Sequence, residues 1–367
     1  MISLAAPILG ESEKQALSAV IDSGWLTMGN QVKDFEKAFA EMHQVTEAVA
    51  VSSCTAGLHL SLAALGIGDG DEVLVPSLTF VATVNAILYV GATPVFVDIE
   101  SVECPHISLE DAKNKVTAKT KAIIVMHYAG YLIDNLTDWR TFADANKLFL
   151  VEDAAHAPGI ETVGQIADAA AFSFFSNKNM TTAEGGMVIA RQPEILEKIR
   201  ALRSHGMTTS TLDRDKGHAY SYDVTMLGYN YRIDELRAAM GICQLSQLKK
   251  WNTKRRELTA IYRKLFTNSS IKIPFKNHKI TAAHLLPILL PENIDRTQVM
   301  KQLRAAGIQT SIHYPPVHHF SYYQKHFPGV KLSKTENFYK HIITLPLYPD
   351  LNQSDIKTIV KSVNSCV

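Results

Sequence analysis

Neither sign of charge is in excess in this 367-residue chain: 37 lysines and arginines face 36 aspartates and glutamates, a net charge of +1. Proteins that grip nucleic acid or an anionic membrane surface draw on a basic surplus, so neither partner is expected. Apolar runs long enough to span a bilayer are missing, and the opening Met1-Ile-Ser-Leu-Ala-Ala-Pro7 has no basic segment followed by an apolar one. Cysteine is scarce. Cys54, Cys104, Cys243 and Cys366 show neither close pairing nor metal-ligand spacing; they read as free thiols in a reducing compartment, with no metal site expected. These absences predict a cytoplasmic protein. A Gly-rich turn of the G-x-G-x-x-G kind after an early strand is also lacking, which argues against an oxidoreductase that holds a dinucleotide there.

At 46% hydrophobic and 20% charged the chain has the balance of a folded protein, and its length suits two domains. Short Val- and Ile-rich runs at Glu72–Val75, Thr93–Val97, Ala122–Met126 and Leu148–Glu152 read as buried strands. Helical patterns lie between and around them, at Thr55–Leu65, Thr79–Val90, Leu109–Val116 and Leu136–Ala145. Such alternation predicts an α/β fold with a mostly parallel sheet flanked by helices, and ligands gathered beyond the carboxyl ends of its strands. A helix is predicted from about Asp234 to Lys264, after which the rhythm changes to separate strands, a turn at Pro315–Pro316 and a last helix near Gln353–Val363. The expected division is a large domain over residues 1–250 and a smaller α+β domain over 251–367, with the first dozen residues packed on the small one.

Lys178 carries the most chemical information. It follows the apolar, strand-like Ala171-Phe-Ser-Phe-Phe175 and leads to the pair Gly185-Gly186. A lysine set against an apolar run either covers that surface with its stem or has a depressed pKa, which makes it a nucleophile towards carbonyls. Asp153, at the end of the strand-like Leu148–Glu152 run, needs a partner for a buried carboxylate. A pyridinium nitrogen is one such partner; a helix cap or an arginine is another. Val51-Ser-Ser-Cys-Thr-Ala-Gly57 passes from small residues into a helix, so that Thr55 and Ala56 present backbone N–H groups to a phosphate; simple capping by Ser53 or Thr55 is the plainer reading, and the two do not exclude each other. Ser173 could add a hydroxyl to the same phosphate. Phe80, after Pro76-Ser-Leu-Thr79, either stacks on a flat ligand or joins the core.

Together these segments resemble the DegT-type nucleotide-sugar aminotransferases, which are fold-type I pyridoxal-phosphate enzymes. The resemblance rests on Ser173-Phe-Phe-Ser-Asn-Lys-Asn179 with Glu184-Gly-Gly186, Val151-Glu-Asp-Ala-Ala-His156, Pro76-Ser-Leu-Thr-Phe-Val-Ala-Thr83 and Gly228-Tyr-Asn-Tyr-Arg232. It extends from the amino-terminal segment through Ser23-Gly-Trp-Leu-Thr27 to His313-Tyr-Pro-Pro316 and Leu345-Pro-Leu347. It implies that Lys178 forms the Schiff base with pyridoxal 5'-phosphate and then moves the proton. It also implies that Asp153 pairs with the ring nitrogen, Phe80 stacks on the ring and His156 lies near its phenolic oxygen, while Thr55, Ala56 and Ser173 bind the phosphate. Asn230 would reach the phosphate of a neighbouring subunit, giving a homodimer with shared active sites. Cys54 departs from the glycine common in the family, a small-for-small change.

The implied reaction moves an amino group from L-glutamate to a nucleotide-linked keto sugar. A sister branch that dehydrates or deoxygenates has histidine in place of the lysine, so Lys178 favours transamination. Branches acting at a 3-keto position carry Lys-x-Leu-Gly-x-x-Gly-Asp-Gly-Gly; here Lys178-Asn-Met-Thr-Thr-Ala-Glu-Gly-Gly186 is one residue shorter, with Glu for Asp. That pattern resembles the branch aminating C4 of a 4-keto-6-deoxyhexose; amination at C3, or of a cyclitol, is the alternative. His313 and Tyr314 resemble residues near the sugar or diphosphate, or form a polar turn. Trp25 and Thr27 are expected to contribute to the neighbour's substrate site. A pyridoxal-phosphate-binding regulator without turnover is the rival from another class, although every residue the chemistry needs is in place.

Overall fold

The computed structural model describes residues 1–208, 221–278 and 280–367. The four strands predicted from apolar runs are β2 (Glu72–Pro76), β3 (Thr93–Val97), β4 (Thr120–Met126) and β5 (Phe149–Asp153). With β1 (Val49–Val51), β6 (Ala169–Ser173) and β7 (Gly186–Ala190) they form one sheet of order β1-β7-β6-β5-β4-β2-β3. The five strands from β3 to β6 in that order pair in parallel, whereas β7 is antiparallel to both its neighbours. The carboxyl ends of β1, β2, β4, β5 and β6 therefore share one edge. Residues alternate between faces: Leu74, Ile123, Val125 and Leu150 fill one core and Val73, Val75, Ile124 and Val151 another. Such a sheet is apolar on both sides, which is why its strands read as continuous Val/Ile runs.

The predicted helices are α3 (Cys54–Ala64), α4 (Val81–Tyr89), α5 (Leu109–Lys115) and α6 (Leu136–Ala145), preceded by α1 (Glu11–Ser23) and α2 (Asn30–Met42) and followed by α7 (Pro193–Leu202). Helix α8 (Glu235–Leu265) runs without a break for 31 residues from the Asp234 cap. Its first half packs Ala238, Leu245 and Leu248 into the core of the large sheet. Its second half packs Leu258 and Tyr262 under the antiparallel pair β8 (Leu286–Leu289) and β9 (Ile342–Leu345), with α9 (Arg296–Ala305) and α12 (Gln353–Asn364). Between them lie α10 (Ser321–His326) and α11 (Ser333–His341). We propose that the domain division near residue 250 falls inside α8, one helix serving two cores. The first residues join the second core: Ile2 pairs with Ile308, and the Leu4 carbonyl accepts from the Leu347 N–H at 3.2 Å. Among the described residues no helix is long and apolar enough to cross a membrane.

One ion pair fixes the edge strand that launches α3. Glu36 on α2 accepts from the Ala50 N–H at 2.9 Å and from Arg203 Nη1 at 2.6 Å, with both charged side chains buried. Removing one partner leaves an uncompensated buried charge. Glu36→Ala is expected to lower unfolding free energy by about 3–5 kcal/mol in urea titrations. The exposed control Lys37→Ala should stay within about 0.5 kcal/mol of the parent. Equal losses in the two variants would contradict this account of β1.

Candidate active site

A cavity of about 380 Å³ opens beyond the carboxyl edge of the sheet, between the start of α3, the β5 and β6 ends and the loop carrying His313 and Tyr314. That loop is docked on the sheet by three bonds to Ser77, just past β2: its carbonyl accepts from the Val317 N–H at 2.9 Å, and its hydroxyl meets His318 Nδ1 at 2.6 Å and accepts from the His318 N–H at 3.3 Å.

Asp153 ends β5 and is 3% exposed. Its Oδ2 accepts from the Thr83 hydroxyl at 2.6 Å and its Oδ1 from the Ala155 N–H at 3.0 Å. A carboxylate has about four lone-pair sites, so acceptor capacity remains on the cavity side. Burial pushes the Asp153 carboxyl above the usual carboxylate range, against the pull of Thr83, the Ala155 N–H, Lys178 and His127. Lys178 lines the same cavity. Burial brings its ammonium down to about 8, although Asp153 and Cys54 favour the charge. The next residue holds the lysine's segment in place: Asn179 Nδ2 donates to Asn252 Oδ1 and to the Ala282 carbonyl, both at 2.8 Å, and its Oδ1 meets His284 Nδ1 at 2.8 Å.

His284 in turn packs on His156, ring centroids 4.4 Å apart. The Ala129 N–H donates to His156 Nδ1 at 3.2 Å, so Nδ1 is the bare nitrogen and Nε2 carries the proton towards the Tyr314 hydroxyl at 2.9 Å. Burial, then the charges of Lys178 and His313, keep the His156 pKa well below its ordinary value. Burial and Lys178 likewise bring His313 down to about 4. Both imidazoles are neutral near pH 7. Burial, with Asp153 nearby, raises the Tyr314 phenol, which therefore stays protonated.

At the far side, Ser53 caps α3 by accepting from the Ala56 N–H at 3.1 Å. The Ala56 N–H is already committed to the cap and Ala56 does not line the cavity, whereas Ser53, Cys54 and Thr55 do. Gly186 lets β7 lie close against the cap: a Cβ there would sit 2.6 Å from the Ser53 carbonyl carbon. Cys54 is a buried thiol whose pKa is raised well above the ordinary value by burial and then by Asp153, so it stays protonated. Phe80 is 54% exposed, an unusual state for phenylalanine, and its ring borders the cavity 5.9 Å from that of Tyr314.

Thus Lys178, Asp153, Thr55, Phe80, His156, Ser173, His313 and Tyr314 come together. Asn230 does not: it is exposed and bridges to Ser204 outside this cavity. Trp25 and Thr27 also lie elsewhere, in the α1–α2 connection, where the buried carboxylate of Glu235 accepts from the N–H groups of Gly29, Gln31 and Val32. Sequence reasoning passed over Thr83, Asn179 and His284. Thr83 and Asn179 stood inside quoted motifs without a role; His284 had no local signal.

The family model of the DegT/DnrJ/EryC1/StrS aminotransferase family matches residues 7–364. The chain belongs to this family. It is similar to the uncharacterized protein MJ1066 of Methanocaldococcus jannaschii, with 38% identity covering 98% of this chain and 96% of that protein. Its fold is similar to that of Helicobacter pylori PseC, described as an aminotransferase involved in the biosynthesis of pseudoaminic acid: TM-score 0.92, 30% identity, covering 100% of this chain and 98% of that one. It is also similar to the putative sugar aminotransferase Spr1654 of Streptococcus pneumoniae in its pyridoxal-phosphate form, with TM-score 0.90 and 28% identity over 100% and 98% of the two chains. The protein is thus a fold-type I aminotransferase that uses pyridoxal phosphate.

The residues present fit that group. A buried carboxylate with spare acceptor capacity suits a protonated ring nitrogen. A half-exposed phenylalanine suits a ring face, and a helix N-terminus beside Ser173 suits a phosphate. Lys178 is the amine in the cavity that would hold it. Because Nζ reacts only when neutral, the rate at which cofactor-free protein takes up pyridoxal phosphate, trapped with borohydride, is expected to rise with pH and level off above about 8. A rate independent of pH across that value would contradict the depressed pKa.

Proposed function

We propose that this protein moves an amino group from L-glutamate to C4 of a nucleotide-linked 4-keto-6-deoxyhexose, working as a homodimer whose subunits complete each other's sites. Aminotransferase chemistry follows from family membership. The observation that carries the reading is Lys178 and Asp153 lining one cavity, each shifted by burial towards its neutral form. A sugar acceptor is supported by the neighbours described as sugar aminotransferases. The C4 position is supported by the short Lys178–Gly186 segment with Glu184, which lines the cavity.

When bound, pyridoxal phosphate supplies an electron-withdrawing ring that stabilises carbanion character beside the amino nitrogen. Lys178 would hold that group through its neutral amine, and its Nζ would hold and move the proton during transfer. Asp153 remains an anion when a cation faces it, and the Thr83 hydroxyl and Ala155 N–H fix its plane. His156, neutral and protonated at Nε2, donates rather than accepts towards the cavity side. His313 and Tyr314 border the space left for the acceptor, offering uncharged polar groups suited to sugar hydroxyls. That Asn230 is exposed and does not line the cavity of its own chain supports a role at a second subunit's site.

Incubation with ¹⁵N-labelled L-glutamate and a panel of nucleotide keto sugars tests this. The expected result is ¹⁵N attached at C4 of a 4-keto-6-deoxy sugar, with one 2-oxoglutarate formed per amino sugar. Label at C3, or turnover of a cyclitol alone, would overturn the positional assignment and leave the aminotransferase chemistry standing.

A further inference from the structure

Away from the cavity, three loops bring a cysteine and two histidines together. Cys104 and His106 lie on the excursion between Ile99 and Ile107, which bridge each other. His278 arrives from the segment between α8 and β8. That segment is fixed by the Phe275 N–H on the Glu103 carbonyl at 2.8 Å and by the Phe275 ring stacked on Tyr131 at 4.3 Å. Cys104 Sγ stands 3.9 Å from His106 Nδ1 and 3.6 Å from His278 Nε2, and the three donor atoms lie within 4.8 Å of one another. The Asp134 carboxylate is 3.0 Å from the same His278 nitrogen.

Two features point beyond a chance cluster. Tetrahedral zinc has bonds of about 2.3 Å to sulfur and about 2.0 Å to nitrogen, which sets sulfur–nitrogen separations at about 3.5 Å, close to those observed. In addition, His106 is buried and its Nε2 lies 3.0 Å from the Tyr131 carbonyl. A carbonyl only accepts, so Nε2 carries the proton and Nδ1 turns its lone pair towards the sulfur, the orientation metal-binding histidines are given by such bonds. The second cluster, His318, His319 and Glu336, is built differently: both His318 nitrogens are already engaged, by Ser77 and Glu336.

We propose that Cys104, His106 and His278 bind a zinc ion, with the Asp134 carboxylate turning from His278 Nε2 to the ion as the fourth ligand. Thiolate and imidazole select zinc over magnesium or calcium. Four protein ligands close the coordination sphere, so the site is structural. The ion clamps the Ile99–Ile107 excursion and Asp134, at the foot of α6, to the segment that enters β8. On binding, the Cys104 thiol loses its proton to solvent and sulfur becomes the anionic donor. None of the four residues lines the Lys178 cavity, so the metal takes no part in transamination.

The test uses tag-free, cofactor-loaded protein, treated with chelator, reloaded with equimolar zinc and passed through gel filtration before metal analysis. About one zinc per chain is expected to remain, and retention should fall at least about tenfold in Cys104→Ser and His278→Gln. Cobalt in place of zinc should give a thiolate-to-cobalt charge-transfer band in the parent that is absent from Cys104→Ser. Circular dichroism and the bound-cofactor spectrum confirm that the variants are folded. Retention below about a tenth of an ion per parent chain, or equal retention in the parent and folded Cys104→Ser, would overturn the proposal.

Discussion

The site depends on two opposite charges that burial destabilises more than their mutual attraction repays. Asp153 and Lys178 are each shifted towards the neutral form, the carboxyl upward and the ammonium downward, although each favours the charge of the other. Desolvation is the leading cause in both cases. Neither charge is therefore fully compensated by the protein alone. A ligand that offers a cationic N–H to the one and an electrophilic carbon to the other relieves both. The surrounding bonds keep the pair from relaxing: Thr83 and the Ala155 N–H hold the carboxylate, while Asn179 ties the lysine's segment to Asn252 and the Ala282 carbonyl.

The parallel sheet makes this opposition available. Adjacent β5 and β6 run the same way, with Asp153 in register with Ala171, and this places the Asp153 and Ser173 ends on one edge. The antiparallel return of β7 brings Gly186 against the α3 cap, so the helix N-terminus faces the same space. The second core closes the other side. Its loop is moored to Ser77 and presents His313 and Tyr314. Helix α8 belongs to both cores, so a shift of the small sheet relative to the large one has to pass through it.

Much of this was legible in the sequence, for physical reasons. Strands buried on both faces leave unbroken Val/Ile runs, so β2 to β5 were found within two residues of their bounds. Asp153 and Lys178 stood out because a charge next to an apolar run demands an explanation. Three-residue β1 and alanine-rich β6 leave no comparable Val/Ile run, and the reversal of β7 is a tertiary fact. That Ser53 and not Thr55 caps α3 was a choice between two local hydrogen-bond patterns that spacing could not make. His284 and His278 reach their partners only through the long connection after α8, so no local pattern marks them. Asn230, Trp25 and Thr27 lie outside the cavity of their own chain, and only the family resemblance gave them a role.

The central claim is that Lys178 and Asp153 hold and operate pyridoxal phosphate as a transaminase. Its most direct test is the visible spectrum of the cofactor-loaded protein before and after L-glutamate, with Lys178→Ala alongside. The account predicts a visible cofactor band that glutamate bleaches in the parent and fails to bleach normally in the variant. No band after pyridoxal phosphate is supplied, or a parent band indifferent to glutamate and to every other amino donor, would contradict it.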